Sequence, residues 1–369
     1  MKTLLFISNF NMNRFIIKTS VFAIGILILL ISVNYWGDAA KIFHTGYERN
    51  IANIIFENKN ATNISNYDER ILQKELINKI KSKPDILILG SSRTMLINSS
   101  YFENKKLINN SVSGASIEDC IAIYQMYKAK NILPKKIILG IDPWLFNENN
   151  GQQRWHSLQK EYYNFFSKTI HKQKNILSDK TQQLVSFSYF QSSLRSLPAV
   201  ILGKSNPIPS NKMYNESNTK IIDGSLAYSE KYRNVSVEDV NNKAKNYIAN
   251  QIYSIENFDK ISPKIFNEFN KLCKEIKTND IELSFFLAPY HPLVYKKIKE
   301  DYKVVLEEEN KIINYANQNN IRIFGSFNPV KIEIDNTGFY DGMHSKEKTI
   351  QKILEVRTHN NVYKSLGDW

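Results

Sequence analysis

At 369 residues, with 42% apolar, 12% aromatic and 23% charged positions, the chain has the composition of a folded protein, which excludes a disordered one. That length can bury one sizeable core plus an insertion, or two smaller cores. The formal charge of +13 comes from lysines spread along the chain with no nucleic-acid motif beside them. Nucleic acid is therefore set aside as a partner, leaving a solvated basic surface or attraction to anionic lipid or acidic glycan. The two cysteines, Cys120 and Cys273, have neither metal spacing nor a CxxC arrangement, so two buried thiols are expected in preference to a disulfide.

Residues 1–18 are polar and carry Lys2, Arg14 and Lys18. Residues 19–36 then form an apolar run ending in Tyr35-Trp36, near the ~20 residues that span a bilayer, with the aromatics where an interfacial anchor belongs. The positive flank comes first, so a single-pass topology is expected: a cytoplasmic N-terminus and everything after the span outside, periplasmic or otherwise extracytoplasmic. A cleaved signal peptide with Gly37-Asp38-Ala39 as its site is the competing reading.

Residues 37–84 read as an Asn-rich, membrane-proximal linker with room for one helix, followed by a helix over 67–81. Ile71, Leu72, Leu76, Ile77 and Ile80 give that helix its apolar face, and Pro84 follows its end. From 85 to 369 a single domain is expected. Strands are predicted over 85–90, 107–110, 136–141, 282–288 and 321–324. Helices are predicted from Ser116 to about 130, near 240–256 and 263–278, over roughly 293–318, and after His344. Ser116 with Asp119, and Ser345, are the expected caps. Between 146 and 240 the alternation fails. Trp155, Tyr162, Tyr163, Phe165, Phe166, Phe187, Tyr189 and Phe190 crowd this stretch, ahead of a Pro/Ser/Asn-rich loop at 204–218. It reads as an insertion, either a lid or substrate platform or a small aromatic core of its own. No internal repeat is visible.

Strand and helix alternating about five times point to an α/β fold, a flavodoxin-like three-layer sandwich with a mostly parallel five-stranded sheet behind one transmembrane helix. Ligands of such sheets bind beyond the carboxyl ends of the strands. Five polar clusters fall there: Ser91-Ser92, Asn110 to Gly114, Asp142, Tyr290-His291, and the loop with Asp341 and His344. A serine in one turn and Asp-x-x-His in another supply the parts of a nucleophile, base and orienter relay, since a serine hydroxyl needs a base to take its proton. The remaining histidines, His44, His156, His171 and His359, have no such neighbours and read as surface residues.

Gly90-Ser91-Ser92 after the first strand, Gly114 after the second and Asp341-x-x-His344 near the C-terminus resemble the SGNH (GDSL-type) hydrolase superfamily, over residues 85–145 and 281–357. Within it the chain is most similar to membrane-anchored members encoded with surface-polysaccharide genes, related to alginate O-acetylation and teichoic-acid D-alanylation factors. The resemblance implies catalytic roles for Ser92 (nucleophile), His344 (general base) and Asp341 (orienting group), with no metal or organic cofactor. It implies an oxyanion hole from the N–H groups of Ser92 and Gly114. The family's third block supplies an Asn side chain where this chain has Asp142, which when ionised cannot donate a hydrogen bond. Protonated Asp142, Trp144, Arg93 or Asn110 would then serve. Arg93, Asn110, Trp144, Tyr290 and His291 are the substrate-binding candidates.

The expected activity is a serine esterase or O-acyltransferase, with acetyl as the expected group, acting on a cell-surface polysaccharide through an acyl-Ser92 intermediate. A multi-span acyl-exporting protein is its implied partner. Two rival readings are a non-catalytic glycan-binding or assembly factor that keeps the fold, and a metal-assisted hydrolase using Asp142, His291, Asp341 and His344.

Overall fold

The structure, a computed structural model, describes residues 12–168, 176–249 and 252–355. The expectations for Lys2, His171 and His359 lie outside the described residues. The chain divides into two compact units, one of Met1–Tyr47 with His171–Asn206 and one of Glu48–Ile170 with Pro207–Trp369.

Among the described residues the larger unit has nine strands: β1 (Asn60–Thr62), β2 (Ile86–Leu89), β3 (Leu107–Asn109), β4 (Lys136–Gly140), β5 (Ile208–Ser210), β6 (Thr219–Lys220), β7 (Leu226–Ala227), β8 (Glu282–Leu287) and β9 (Arg322–Gly325). Five form a sheet in the order β3-β2-β4-β8-β9, and every pairing is parallel. The sequence of these strands explains the arrangement: they are apolar without alternation because both faces are buried. Leu87, Leu89, Ile137, Leu139, Phe285 and Leu287 enter one core cluster, shared with helices Ile117–Ala129, Pro263–Thr278, Pro292–Asp301 and Lys303–Gln318. Their neighbours Ile86, Ile88, Ile138 and Phe286 enter a second cluster with Leu96, Phe102 and helix Glu347–Glu355. The chain leaves β2, adds β3 on one side and returns to β4 on the other, so its winding reverses beside β2. Loops that part at such a point leave a crevice at the strand ends.

Three expectations change in detail. The helix over 293–318 is two helices broken at Tyr302 (φ −121°, ψ 61°). Apolar spacing runs on through the break (Ile298, Tyr302, Val305), so periodicity does not reveal it. The last helix begins at Glu347, and Ser345 pairs with Phe339 in an isolated antiparallel bridge instead of capping it. The linker holds a strand, β1, as well as helix Tyr47–Phe56. Ser116 does cap its helix, with its N–H bound to the Asp119 carboxylate at 3.0 Å.

The stretch 146–240 is not one body. Trp155, Tyr162, Tyr163, Phe165 and Phe166 pack on the main core, so they build no core of their own. Residues 171–206 belong to the smaller unit. The remainder supplies β5, β6 and β7, which join β1 in an antiparallel sheet ordered β5-β1-β6-β7, with Pro209 on the edge strand where a missing N–H is tolerated. This sheet is seated on the parallel one: Leu226 N–H donates to Met95 O (2.9 Å) and Asn109 N–H to Asp223 O (2.8 Å).

In the smaller unit, helix Met12–Gly37 is long and apolar enough to cross a membrane. It begins before residue 19 because hydrophobicity marks the bilayer-spanning part of a helix and not its first turn. Helices Ile176–Leu184 and Phe187–Ile201 complete this unit. Both cysteines, in the larger unit, are free and buried.

Candidate active site

The turn after β2 is built around Gly90. A Cβ there would lie 2.6 Å from Thr94 Oγ1 and 3.1 Å from Gly140 Cα, so a side chain would force apart the ends of β2 and β4. Ser91 is buried and holds the turn: its carbonyl accepts from Thr94 N–H (3.0 Å) and its Oγ from Arg93 N–H (3.1 Å). Ser92 is the serine left facing the crevice.

The loop after β9 brings the other members. Asp341 Oδ1 accepts from the N–H groups of Met343 and His344, both at 2.8 Å, which fixes the carboxylate. Asp341 Oδ2 lies 2.8 Å from His344 Nδ1, and His344 Nε2 lies 3.0 Å from Ser92 Oγ. With the proton on Nδ1 facing the carboxylate, Nε2 is free to accept from the serine. Tyr232, from the stretch after β7, donates its hydroxyl to the same Asp341 Oδ2 at 2.5 Å. Burial alone would raise the Asp341 carboxyl. His344, Tyr232 and the Met343 N–H outweigh it and hold Asp341 well below the usual carboxylate range. Burial, then the facing Asp341, pushes the Tyr232 phenol up, so it stays a donor.

Ser92 and His344 open into a cavity of about 560 Å³. Its wall carries Tyr67, Tyr228 and Tyr232, the polar side chains of Ser65, Asn66, Ser113 and Asn218, and Glu69. The Ser113 N–H and hydroxyl both donate to Glu69. Behind the wall Lys220 is buried on β6, and burial brings its ammonium down to about 8 despite Glu69 and Asp223.

The other sequence candidates lie at the same strand ends but do not line this cavity. Arg93 is buried: Nη1 pairs with Asp142 Oδ1 at 3.3 Å, Nη2 donates to the Ala288 and Pro289 carbonyls, and the guanidinium lies 4.1 Å from the Tyr290 ring centroid. It bolts the β2 turn to the ends of β4 and β8. Asp142 Oδ1 is thereby paired with Arg93, whereas Oδ2 is buried without a partner among the described residues, and burial, opposed by Arg93, raises the carboxyl above its ordinary value. Asn110 donates to Gln73 and accepts from Tyr127, and Trp144 Nε1 donates to Ala115 O at 3.0 Å. Tyr290 is fully buried. His291, also buried, caps helix Pro292–Asp301 by accepting Leu293 N–H on Nδ1, and burial lowers its pKa. A position beyond a strand end puts a residue on the correct edge of the sheet but does not decide whether it faces the crevice or the layer beneath.

Gly114 has φ +53° and no space for a Cβ, which would meet Arg154 Nη2 at 2.2 Å and the Tyr253 hydroxyl at 2.4 Å. Neither the Gly114 nor the Ser92 N–H donates a hydrogen bond to another described residue. Among the described residues no group of three or more His, Cys, Asp or Glu side chains is arranged to hold a metal, so Asp142, His291, Asp341 and His344 do not form the metal site considered from sequence. His44, read as lacking an acidic neighbour, has Nδ1 3.0 Å from Asp38, whereas His156 is half-buried and stacked on Trp155.

Tyr232, Tyr228, Glu69 and Lys220 were not legible as site residues. The only local cue is the four-residue spacing of Tyr228 and Tyr232, and it carries no chemistry until the small sheet is seated. Comparison with protein-family models, with curated proteins and with solved structures finds no match to this chain.

Proposed function

We propose that this protein is a membrane-tethered SGNH-type serine esterase or O-acyltransferase whose acceptor or substrate is an extracytoplasmic glycan. The observation that carries the reading is the unbroken series Ser92 Oγ, His344 Nε2, His344 Nδ1 and Asp341 Oδ2, with links of 3.0 and 2.8 Å. The all-parallel order β3-β2-β4-β8-β9 supports reading the fold as flavodoxin-like, with the serine beside the switch point, where such folds bind ligands. Lys2, Arg14 and Lys18 ahead of the apolar run of residues 19–36 favour a single-pass protein with its larger unit outside the cytoplasm.

In the first half-reaction Ser92 Oγ attacks the acyl carbonyl carbon while its proton passes to His344 Nε2. The tetrahedral oxyanion is received by the unengaged N–H groups of Ser92 and Gly114, each such donor contributing a few kcal/mol in serine enzymes. His344 then returns the proton to the departing oxygen, leaving acyl-Ser92. In the second half an acceptor hydroxyl gives its proton to His344 and takes the acyl group, and His344 returns that proton to Ser92 Oγ as the acyl–oxygen bond breaks. Water as acceptor makes the protein an esterase, and a sugar hydroxyl makes it a transferase. Tyrosines beside Asn66, Asn218 and Glu69 suit a sugar ring, with aromatic faces for its C–H surface and polar groups for its hydroxyls. The side chains supply nucleophile, base and charge stabilisation, so the reading calls for no cofactor. One span cannot carry an acyl group across the bilayer, which is why a multi-span exporting partner belongs to the proposal.

The test is reaction of the full chain in detergent with a serine-reactive fluorophosphonate, followed by peptide mass spectrometry. A stoichiometric adduct on Ser92, lost in His344→Ala, is expected. Asp142 held by Arg93, in place of a side-chain oxyanion donor, favours the second reading, a glycan-binding or assembly factor. That reading predicts no adduct from a folded sample and glycan binding unchanged in Ser92→Ala.

A further inference from the structure

The smaller unit holds an apolar surface that the anchor helix does not account for. Residues 185–203 carry one charged side chain, Arg195, between Lys180 and Lys204. Within them, helix Phe187–Ile201 has three faces when its side chains are laid out at 3.6 residues per turn. Tyr189 and Ser193 are buried on the first face. Ser188, Gln191, Ser192 and Arg195 are exposed on the second. The third is a stripe of Phe187, Leu194 and Ile201, which are 65%, 50% and 74% exposed, with Phe190 stacked on Phe187 at 6.0 Å. Over the fifteen residues from Phe187 to Ile201 this stripe runs ~21 Å.

The first face is locked to the last turns of Met12–Gly37. A Cβ on Gly37 would meet Ser193 O at 2.3 Å, so the two backbones touch through small residues, as packed membrane helices do. Asn34, fully buried, donates from Nδ2 to the carbonyls of Gln183, Leu184 and Ser186 at 3.0, 2.9 and 3.1 Å. Tyr189 donates its hydroxyl to Asp38 at 2.8 Å and accepts from Ala40 N–H at 3.2 Å. Those contacts cover Val33, Asn34 and Gly37, whereas Phe22, Leu27 and Leu29 of the anchor stay exposed.

We propose that Phe187–Ile201 is a second lipid-contacting element, an interfacial helix lying in the headgroup and upper acyl region beside the end of the anchor. The occupant of the stripe is lipid because the stripe shares one packed unit with the exposed apolar surface of a helix long and apolar enough to span the bilayer. The three-faced pattern fits an in-plane position: one face on the anchor, one to acyl chains, one to water. A spanning helix would leave Gln191 and Arg195 in hydrocarbon. The NH₂ of the anchor's Asn34, costly to bury in lipid alone, is matched by the carbonyls this hairpin provides, while its Oδ1 is buried without a partner among the described residues. The chain therefore meets the membrane at two separate places in its sequence, and the second belongs to the stretch between Trp144 and the small sheet.

The experiment uses the full chain in phosphatidylcholine nanodiscs. Cysteine is introduced singly as Phe187→Cys, Leu194→Cys, Ile201→Cys and, on the polar face, Ser188→Cys and Gln191→Cys, and labelled with a bimane fluorophore. Native Cys120 and Cys273 are buried, and the unsubstituted protein gives the background. Acyl-brominated lipid should quench the three stripe positions at least about threefold more than the two polar ones, with aqueous iodide giving the reverse order. Iodide quenching of the stripe without bromolipid quenching overturns the proposal in favour of a water-exposed helix. Protection of the stripe from both quenchers overturns it in favour of a protein occupant, a second copy or a membrane partner. Because every position lies outside the crevice unit, neither result bears on the serine relay.

Discussion

Asp341→Asn is the substitution whose outcome the geometry fixes most tightly. Asp341 Oδ1 accepts two backbone N–H groups at 2.8 Å, so the amide oxygen of asparagine must take that place. Its NH₂ is then forced into the Oδ2 position, facing His344 Nδ1. An NH₂ group there can only donate, so Nδ1 becomes the acceptor and the ring proton moves to Nε2, against Ser92 Oγ. The imidazole is left in the tautomer that cannot take the serine proton. Restoring the reactive tautomer sets two donors together, at a cost of ~1–3 kcal/mol. The imidazolium also loses a carboxylate at hydrogen-bond distance, and for a pair about one-fifth exposed this is roughly 2–3 kcal/mol, at or below the ~3–5 kcal/mol for breaking a fully buried ion pair. Together these amount to about 3–6 kcal/mol, or a fall of about 10²–10⁴ in rate. The equivalent substitution in a Ser-His-Asp protease lowers kcat by about 10⁴. The assay is the second-order rate of fluorophosphonate labelling of Ser92 in the full chain, with the thermal midpoint as a control for folding. A rate within tenfold of wild type would refute the claim that Asp341 sets the tautomer. The midpoint has its own signature. Asp341 is held below its ordinary value of 3.8, so its stabilisation is complete above that pH and is lost as pH falls through the folded value. The wild-type advantage over the Asn variant should therefore shrink in acid.

Two further perturbations test the surroundings of the crevice. Unfolded, Lys220 keeps its proton to about 10.5, and folded only to about 8, so between these the unfolded state binds the extra proton and stability rises with pH. The full interval is worth roughly 3 kcal/mol, and Lys220→Met should flatten the rise in denaturation midpoint seen in wild type; parallel curves would show that burial does not depress this lysine. Arg93→Met leaves Asp142 buried without its counter-charge and should cost ~3–5 kcal/mol in urea unfolding, with more than half recovered in Arg93→Met/Asp142→Asn. If the double variant is no more stable than the single one, the pair is not the bolt described above.

The order of strands and helices was legible because a parallel sheet buried on both faces leaves unbroken apolar runs such as Ile86–Leu89 and Leu283–Leu287, and amphipathic helices leave their own period between them. The same reading placed Ser92, Asp341 and His344 at one edge of the sheet, since parallel strands send all their carboxyl ends the same way. An apolar helix at the N-terminus needs no partner to be recognised. Distances, partners and faces were decided only by the tertiary structure. Whether Ser91 or Ser92 faces the crevice depends on which one the turn uses for its own hydrogen bonds. Arg93, Asn110 and Trp144 occupy strand ends as expected, yet each is held by contacts with residues far away in sequence, while Tyr290 and His291 are buried at theirs. The stretch 146–240 shows the limit best. Its aromatics are alike in sequence, but some complete the main core, some pack beside the anchor, and Tyr232 reaches Asp341 over a separation of more than a hundred residues. Local periodicity records which side chains avoid water, whereas the choice among several apolar surfaces is made only when all of them are folded.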